Sequence, residues 1–258
     1  MFGAPCWVTL LTQDLGAAQD FYGAVLGWDF RPDTRRENFC VALQDGAPVG
    51  GLGVLTGHAA AVAWTPYFAV TDANAAADRI RERSATVAVG PLSFGGGRAA
   101  LAADRDGATF GIWEGRVRPG WRIGTRKAPA RLELRTKDAF EAAIFYGQVL
   151  EWGTGRPGSC EVTYEGSEVA LHHDHDIVAR ISGGAARTDP DPLGRPRWHV
   201  HFSVADLDAA IAQAESRSGR LVSPVVSTAA ERRASLRDSG GGLFTLTAPR
   251  TAGETPAP

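Results

Sequence analysis

One segment of this chain occurs twice. WVTLLTQDLGAAQDFYGAVLGW, from Trp7 to Trp28, returns as RLELRTKDAFEAAIFYGQVLEW, from Arg131 to Trp152. The aspartates (Asp14, Asp138), the FYG triplets and the closing tryptophans stay in step. Further on, YFAVTDANAAADRI from Tyr67 matches HFSVADLDAAIAQA from His201, and DRDGATFGIW from Asp104 matches DSGGGLFTLT from Asp238. Matched blocks recurring in one order mark an internal duplication, so each half must build the same supersecondary unit. The later blocks stand ten residues further apart than the earlier ones. That extra length contains HHDHD (172–176) and GGAARTDPDPLGRP (183–196), and the region reads as an extended loop.

Within each copy the pattern is strand, helix, three strands or a hairpin, helix, then further strands. VTLLT alternates like a strand, and Asp14 is placed to cap the helix that follows. On that helix Leu15, Ala18, Phe21, Tyr22 and Val25 recur at helical spacing, and Gly27 stops it. YFAV is another strand, with Asp72 capping a helix over 73–83. A Gly-rich turn (95–97), the strand RAALAA, the turn DRDG and the strand ATFGIW complete the copy. The domains expected are a first module over 1–115, an Arg-, Gly- and Pro-containing linker over 116–129, a second module over 130–249, and a disordered tail over 250–258.

Composition narrows the class. With 44% hydrophobic residues the chain can bury a core, and a net charge of −2 gives no attraction to nucleic acid or an anionic membrane. Arg supplies nearly all the positive charge beside Lys127 and Lys137, which with the abundant Ala and Gly reads as high-GC genomic bias. The cysteines Cys6, Cys40 and Cys160 are odd in number and far apart, which suits a reducing cytoplasm better than a disulfide scaffold. The N-terminus lacks a basic flank with an apolar core, and no apolar run is long enough to span a bilayer, so a cytoplasmic location is expected.

The strand–Asp–helix–FYxxxLGW opening, the V-x-D-helix middle and the D-x-DG-x-x-F-x-I/L ending resemble the vicinal oxygen chelate superfamily, which includes glyoxalases, fosfomycin- and bleomycin-resistance proteins and extradiol dioxygenases. The resemblance covers essentially the whole chain, once per half. It implies an α+β fold of two tandem βαβββ modules, one per half, pairing into a curved mixed sheet around one or two concave cavities. It also implies positions for a divalent metal: Trp7, Thr65 and Gly111 in the first copy, and Arg131, His199 and Thr245 in the second. Only His199 of these readily ligates a transition metal, whereas a catalytic site wants about three protein ligands. The expectation is therefore no metal and no cofactor. Two alternatives stand beside it: a His199, His201 and Glu133 set, and the cluster His172, His173, Asp174, His175 and Asp176, which reads as a solvated loop.

Strand alternation lets the concave surface be written out. The first copy should show Trp7, Thr9, Thr65, Tyr67 and Trp113. The second should show Arg131, Glu133, Arg135, His199, His201 and Thr245. One wall is aromatic and the other polar, as expected for a planar ligand stacked near Trp7 and Trp113 and steered by Arg131, His199 and His201. Trp28 and Trp152 occupy equivalent helix-end positions and read as structural; Trp64, Trp121 and Trp198 read as loop or rim residues.

No nucleophile elbow, P-loop or dinucleotide fingerprint is present. The function expected is metal-independent binding and sequestration of an aromatic or polycyclic small molecule. The resemblance implies an antibiotic-resistance role or one accessory to an antibiotic-tailoring enzyme, anthracyclines included. The alternative is an enzyme, a lyase, dioxygenase or hydroxylase, using metal or His199 as acid and base. The partner expected is a small aromatic ligand, with no nucleic acid and no membrane, in a monomer or homodimer.

Overall fold

The structure is a computed structural model and describes residues 2–34, 36–55, 62–94, 96–124, 129, 131–186 and 192–250. Residues 251–258 of the expected tail, part of the expected linker, Gly95 of the Gly-rich turn and part of the expected 183–196 loop lie outside the described residues.

Each half contains two βαβββ modules. The first runs β1 (Pro5–Thr12), α1 (Leu15–Leu26), β2 (Asp29–Asp33), β3 (Arg36–Gln44) and β4 (Ala47–Val54). The second runs β5 (Ala63–Ala69), α2 (Ala73–Glu82), β6 (Thr86–Phe94), β7 (Gly97–Ala103) and β8 (Thr109–Gly115). The third is β9 (Arg131–Arg135), α3 (Ala139–Leu150), β10 (Glu161–Glu165), β11 (Glu168–His173) and β12 (Asp176–Ser182). The fourth is β13 (Arg197–Ser203), α4 (Leu207–Ser216), the short β14 (Arg220–Leu221) and β15 (Val226–Ser227), β16 (Glu231–Arg237) and β17 (Leu243–Pro249). The first half forms a sheet of order β2-β3-β4-β1-β5-β8-β7-β6, and the second one of order β10-β11-β12-β9-β13-β17-β16-β14, with β15 on β16. In every module the first strand lies parallel beside the last, and the other ladders are antiparallel.

The caps expected at Asp14 and Asp72 form, and Asp138 and Asp206 cap the corresponding helices of the second copy. Asp14, Asp72, Asp138 and Asp206 are extended N-caps whose carboxylates accept first-turn N–H groups, each arrangement contributing about 1 kcal/mol. Gly27 closes α1 in the left-handed conformation at φ 67°, whereas Glu151 takes that role after α3 at φ 60°.

By packing, the chain divides into two units, each with a module from either half. Unit one comprises Met1–Trp7, Thr65–Gly124 and Arg131–His199; unit two comprises Val8–Trp64, Thr125–Ala130 and Val200–Pro258. Their cores repeat one arrangement. In unit two Tyr22 stacks on Trp28 (5.8 Å, 23°) and meets Trp64 edge-on (5.3 Å, 86°), with Phe21, Phe202 and Phe244 around them. In unit one Tyr146 stacks on Trp152 (5.6 Å, 19°) and meets Trp198 edge-on (5.5 Å, 81°), among Phe68, Phe110 and Phe145. Trp28 and Trp152 are structural, as expected. Trp64 and Trp198 are buried strand residues rather than loop or rim residues, because each indole N–H is needed by the tyrosine beneath it.

HHDHD is not a loop. His172 and His173 end β11, Asp174 and His175 make a two-residue turn, and Asp176 begins β12. Asp174 adopts φ 56°, a left-handed conformation that Asp tolerates, so the hairpin closes without glycine. The composition is that of a solvated loop, but the ladder continues through it. Part of the second copy's extra length lies instead between α3 and β10, across 151–160, where the first copy needs only Gly27 and Trp28.

Candidate functional site

The parallel pairing of first and last strands sets four equivalent rows on the sheet faces turned away from the apolar side chains. At one level the pairs are Thr9 with Gly51, Tyr67 with Gly111, Glu133 with Arg180, and His201 with Thr245. Their neighbours Val8, Leu10, Phe68, Leu132, Leu134, Val200 and Phe202 point the other way and are buried. Side chains therefore alternate between two faces along these strands. The expected residues are divided between two sheets: Trp7, Thr9, Thr65, Tyr67 and Trp113 lie in the first, and Arg131, Glu133, Arg135, His199, His201 and Thr245 in the second.

The aromatic members in unit one lie over glycines. A Cβ on Gly111 would stand 2.2–2.3 Å from Tyr67 Cδ1 and Cε1, so the phenol ring covers that glycine. A Cβ on Gly97 would stand 2.6 Å from the Trp113 six-membered ring, whose Nε1 donates to the Arg116 carbonyl at 3.3 Å. Tyr67 and Trp113 remain half-buried. In unit two Phe39 lies over Gly51 in the same manner, a residue that sequence reasoning did not select. Its signal was present in the glycines of β4, Gly50, Gly51 and Gly53, unusual within a strand unless something approaches the backbone closely.

Trp7 is half-buried and has company. Trp121 packs against it at 5.9 Å between ring centroids, and the Arg118 guanidinium lies 5.2 Å over its ring. Both come from the segment expected as linker. Trp121 is buried rather than a rim residue, because the segment folds back onto the indole.

The polar members are buried to different degrees. His199, His201 and Thr245 are buried, and Arg131, Glu133 and Arg135 are half-buried. In unit two His201, Thr245 and Ser235 follow one another across β13, β17 and β16, with the two hydroxyls 3.0 Å apart. Arg180, opposite Glu133, pairs with Glu165 at 2.7 Å and Glu168 at 3.8 Å. All three cysteines are free and buried. Burial pushes the Cys6 thiol up and that of Cys160 up to about 12, which removes both as nucleophiles at neutral pH.

An open recess of about 490 Å³ lies elsewhere in unit one, against α3, with Ile144, Trp152, Val162 and Tyr164 in its lining. Beside it Phe140 stacks on Tyr164 at 5.5 Å. It shares none of the expected residues.

Two mixed sheets of repeated βαβββ modules, with each first strand parallel to its last, define an α+β protein of a glyoxalase-like kind. Residues 6–44 match the family described as bleomycin resistance protein-like N-terminal, and residues 131–247 the glyoxalase-like domain. Anthracycline biosynthesis protein DauV of Streptomyces sp. strain C5 is 30% identical over 97% of this chain and 94% of its own length. Anthracycline biosynthesis protein DnrV of Streptomyces peucetius is 29% identical, covering 95% and 92%. Among solved structures, the Mn(II)-bound glyoxalase from Novosphingobium aromaticivorans superposes with a TM-score of 0.58 at 18% identity, over 96% of this chain and 82% of that one. The chain belongs to the vicinal oxygen chelate superfamily.

The divalent metal that the family implies does not fit the residues present. Gly111 has no side chain and lies beneath Tyr67, Trp7 is an indole, and Arg131 is a permanent cation. Among the described residues no three His, Cys, Asp or Glu side chains come together to hold a metal ion. The alternative His199, His201 and Glu133 set does not converge into such a group, nor does His172–Asp176, where His173 is buried and stands opposite Asp176 in the ladder.

Proposed function

We propose that the chain binds a planar, polycyclic aromatic molecule without metal and without chemistry, and so sequesters it. The observation that carries this reading is the laying of aromatic rings over glycines on the unit-one face, Tyr67 on Gly111 and Trp113 on Gly97. A glycine beneath a ring lets the ring lie flat against the backbone and present its other face. Stacking on such a surface contributes roughly 0.5–1.5 kcal/mol per ring beyond burial. Gly111 is also where family members with a metal carry a ligand, so the same position has exchanged a donor for an aromatic platform. Relationship over nearly the full length to two anthracycline biosynthesis proteins supports a ligand of anthracycline type. The role is then protection of the producing cell, or relief of product inhibition in a tailoring enzyme.

The test is intrinsic Trp fluorescence of chelator-treated protein titrated with an anthracycline. Saturable quenching, weakened by Trp113→Ala and by Trp7→Ala, is the expected result. Quenching that begins only when Mn²⁺, Fe²⁺ or Zn²⁺ is added back would overturn the metal-free reading and return His199 and His201 to the centre.

A further inference from the structure

The level after Tyr67–Gly111 holds a second set of equivalent pairs: Leu11 with Gly53, Ala69 with Trp113, Arg135 with Ser182, and Ser203 with Thr247. Three modules fill this level without charge, so the fold does not require an arginine there. In the third module Arg135 and Ser182 stand side by side on the sheet face opposite Leu134 and Ile181, which are fully buried. Arg135 Nε and Ser182 Oγ are themselves buried, and neither has a hydrogen-bond partner among the described residues. The Ser182 backbone is fixed by the Thr136 N–H, which donates to its carbonyl at 3.0 Å, so the hydroxyl is held at a constrained point. Arg135 meets no carboxylate among the described residues. Glu168, across the ladder from Ser182, is engaged by Arg180 at 3.8 Å.

A buried N–H of a permanent cation and a buried hydroxyl, adjacent and otherwise unsatisfied, complement an oxyanion. The guanidinium fork matches the two oxygens of a carboxylate or phosphate, and the serine adds a further donor. We propose that Arg135 and Ser182 form an anion subsite on the second sheet, which takes a carboxylate or phosphate group of a small molecule. This site lies in a different sheet from the aromatic platform and does not depend on the sequestration reading.

The arginine Nε–Hε resonances of ¹⁵N-labelled full-length protein report on the subsite directly. The Arg135 signal is assigned by its loss in Arg135→Lys, and inorganic phosphate and 2-naphthoate are titrated separately at constant ionic strength. The expected result is a saturable shift of that one resonance, weakened roughly three- to tenfold by Ser182→Ala, as for one lost hydrogen bond. Saturation by phosphate identifies a general oxyanion site; saturation by naphthoate and not phosphate identifies an organic carboxylate as the occupant. No shift with either probe, or a non-saturating drift shared by many arginines, overturns the proposal. The far-ultraviolet circular dichroism and melting of Arg135→Lys and Ser182→Ala, unchanged from the parent, exclude unfolding as the cause of lost binding.

Discussion

The phenol of Tyr22 donates a hydrogen bond to the Asp238 carboxylate at 2.8 Å, joining the FYG helix of the first copy to the DSGGG turn of the second. Trp64 Nε1 donates to the same phenol oxygen at 2.8 Å. Unit one repeats the arrangement, with Tyr146 donating to Asp104 at 3.0 Å and Trp198 to Tyr146 at 3.0 Å. Each aspartate also accepts N–H groups of its own turn, from residues 240 and 242 or 106 and 108. Tyr22→Phe and Tyr146→Phe each leave a buried carboxylate oxygen and a buried indole N–H with one partner fewer. The expected cost is about 1–3 kcal/mol per variant, read from urea denaturation midpoints. A change below a few tenths of a kcal/mol at both sites would show that the triads contribute nothing net.

The same aspartates set a pH dependence. Burial raises Asp104 and Asp238 from the ordinary aspartate value, against the lowering effect of their hydrogen bonds. A carboxyl raised in the folded state holds its proton more tightly there than when unfolded. Its contribution is thus fully present below the unfolded pKa and is lost as pH rises through the folded one. The surface carboxylates Glu165 and Asp208, lowered by hydrogen bonds from Arg180 and Arg232, act in the opposite direction. Asp104→Asn combined with Asp238→Asn is therefore expected to flatten the loss of stability on the alkaline side of the carboxylate range. Melting temperatures of parent and variant across that range measure it, and parallel curves would refute the assignment.

The sequence made the fold legible because duplication sets identical Asp caps, FYG triplets and closing tryptophans beside each other, and two-residue alternation assigns strand faces directly. It could not reveal that Tyr22 meets Asp238 while Tyr146 meets Asp104, because each partner lies in the opposite copy and no local pattern encodes that exchange. Trp64 and Trp198 read as loop or rim residues because their tyrosine partners stand 42 and 52 residues away along the chain, beyond any local pattern. The face carrying Tyr67, Trp113, Arg135 and His201 was readable by alternation, but its division between two sheets was not, since both sheets carry the same period. Trp121 lies outside any helix or strand, as a loop residue should, but its burial against Trp7 was not legible because its segment has no periodicity.

Metal addition separates this chain from metal-bearing members of its superfamily. A metal bound to the folded state at a hundred times its Kd raises stability by about 2.7 kcal/mol. With Gly111 beneath Tyr67 and no convergent donor group among the described residues, Mn²⁺ or Zn²⁺ is expected to leave the melting temperature of chelator-treated protein unchanged. A saturable rise abolished by His199→Ala or His201→Ala would contradict that expectation and reinstate a metal site on β13.

Gly111→Ala tests the aromatic platform without removing an aromatic residue. The new methyl group would lie 2.2–2.3 Å from Tyr67 ring atoms, so the phenol must swing off the backbone. Gly111 sits between Phe110 and Ile112, both fully buried on the opposite face, so β8 itself cannot retreat cheaply. Overpacking of this kind costs about 1–3 kcal/mol. The expected outcome is a modestly lower melting temperature together with loss of most aromatic-ligand quenching. Gly147→Ala, where a Cβ meets nothing within 4 Å, serves as the control and should leave quenching intact. If Gly111→Ala binds the aromatic ligand as tightly as the parent, the Tyr67 ring is not part of the binding surface.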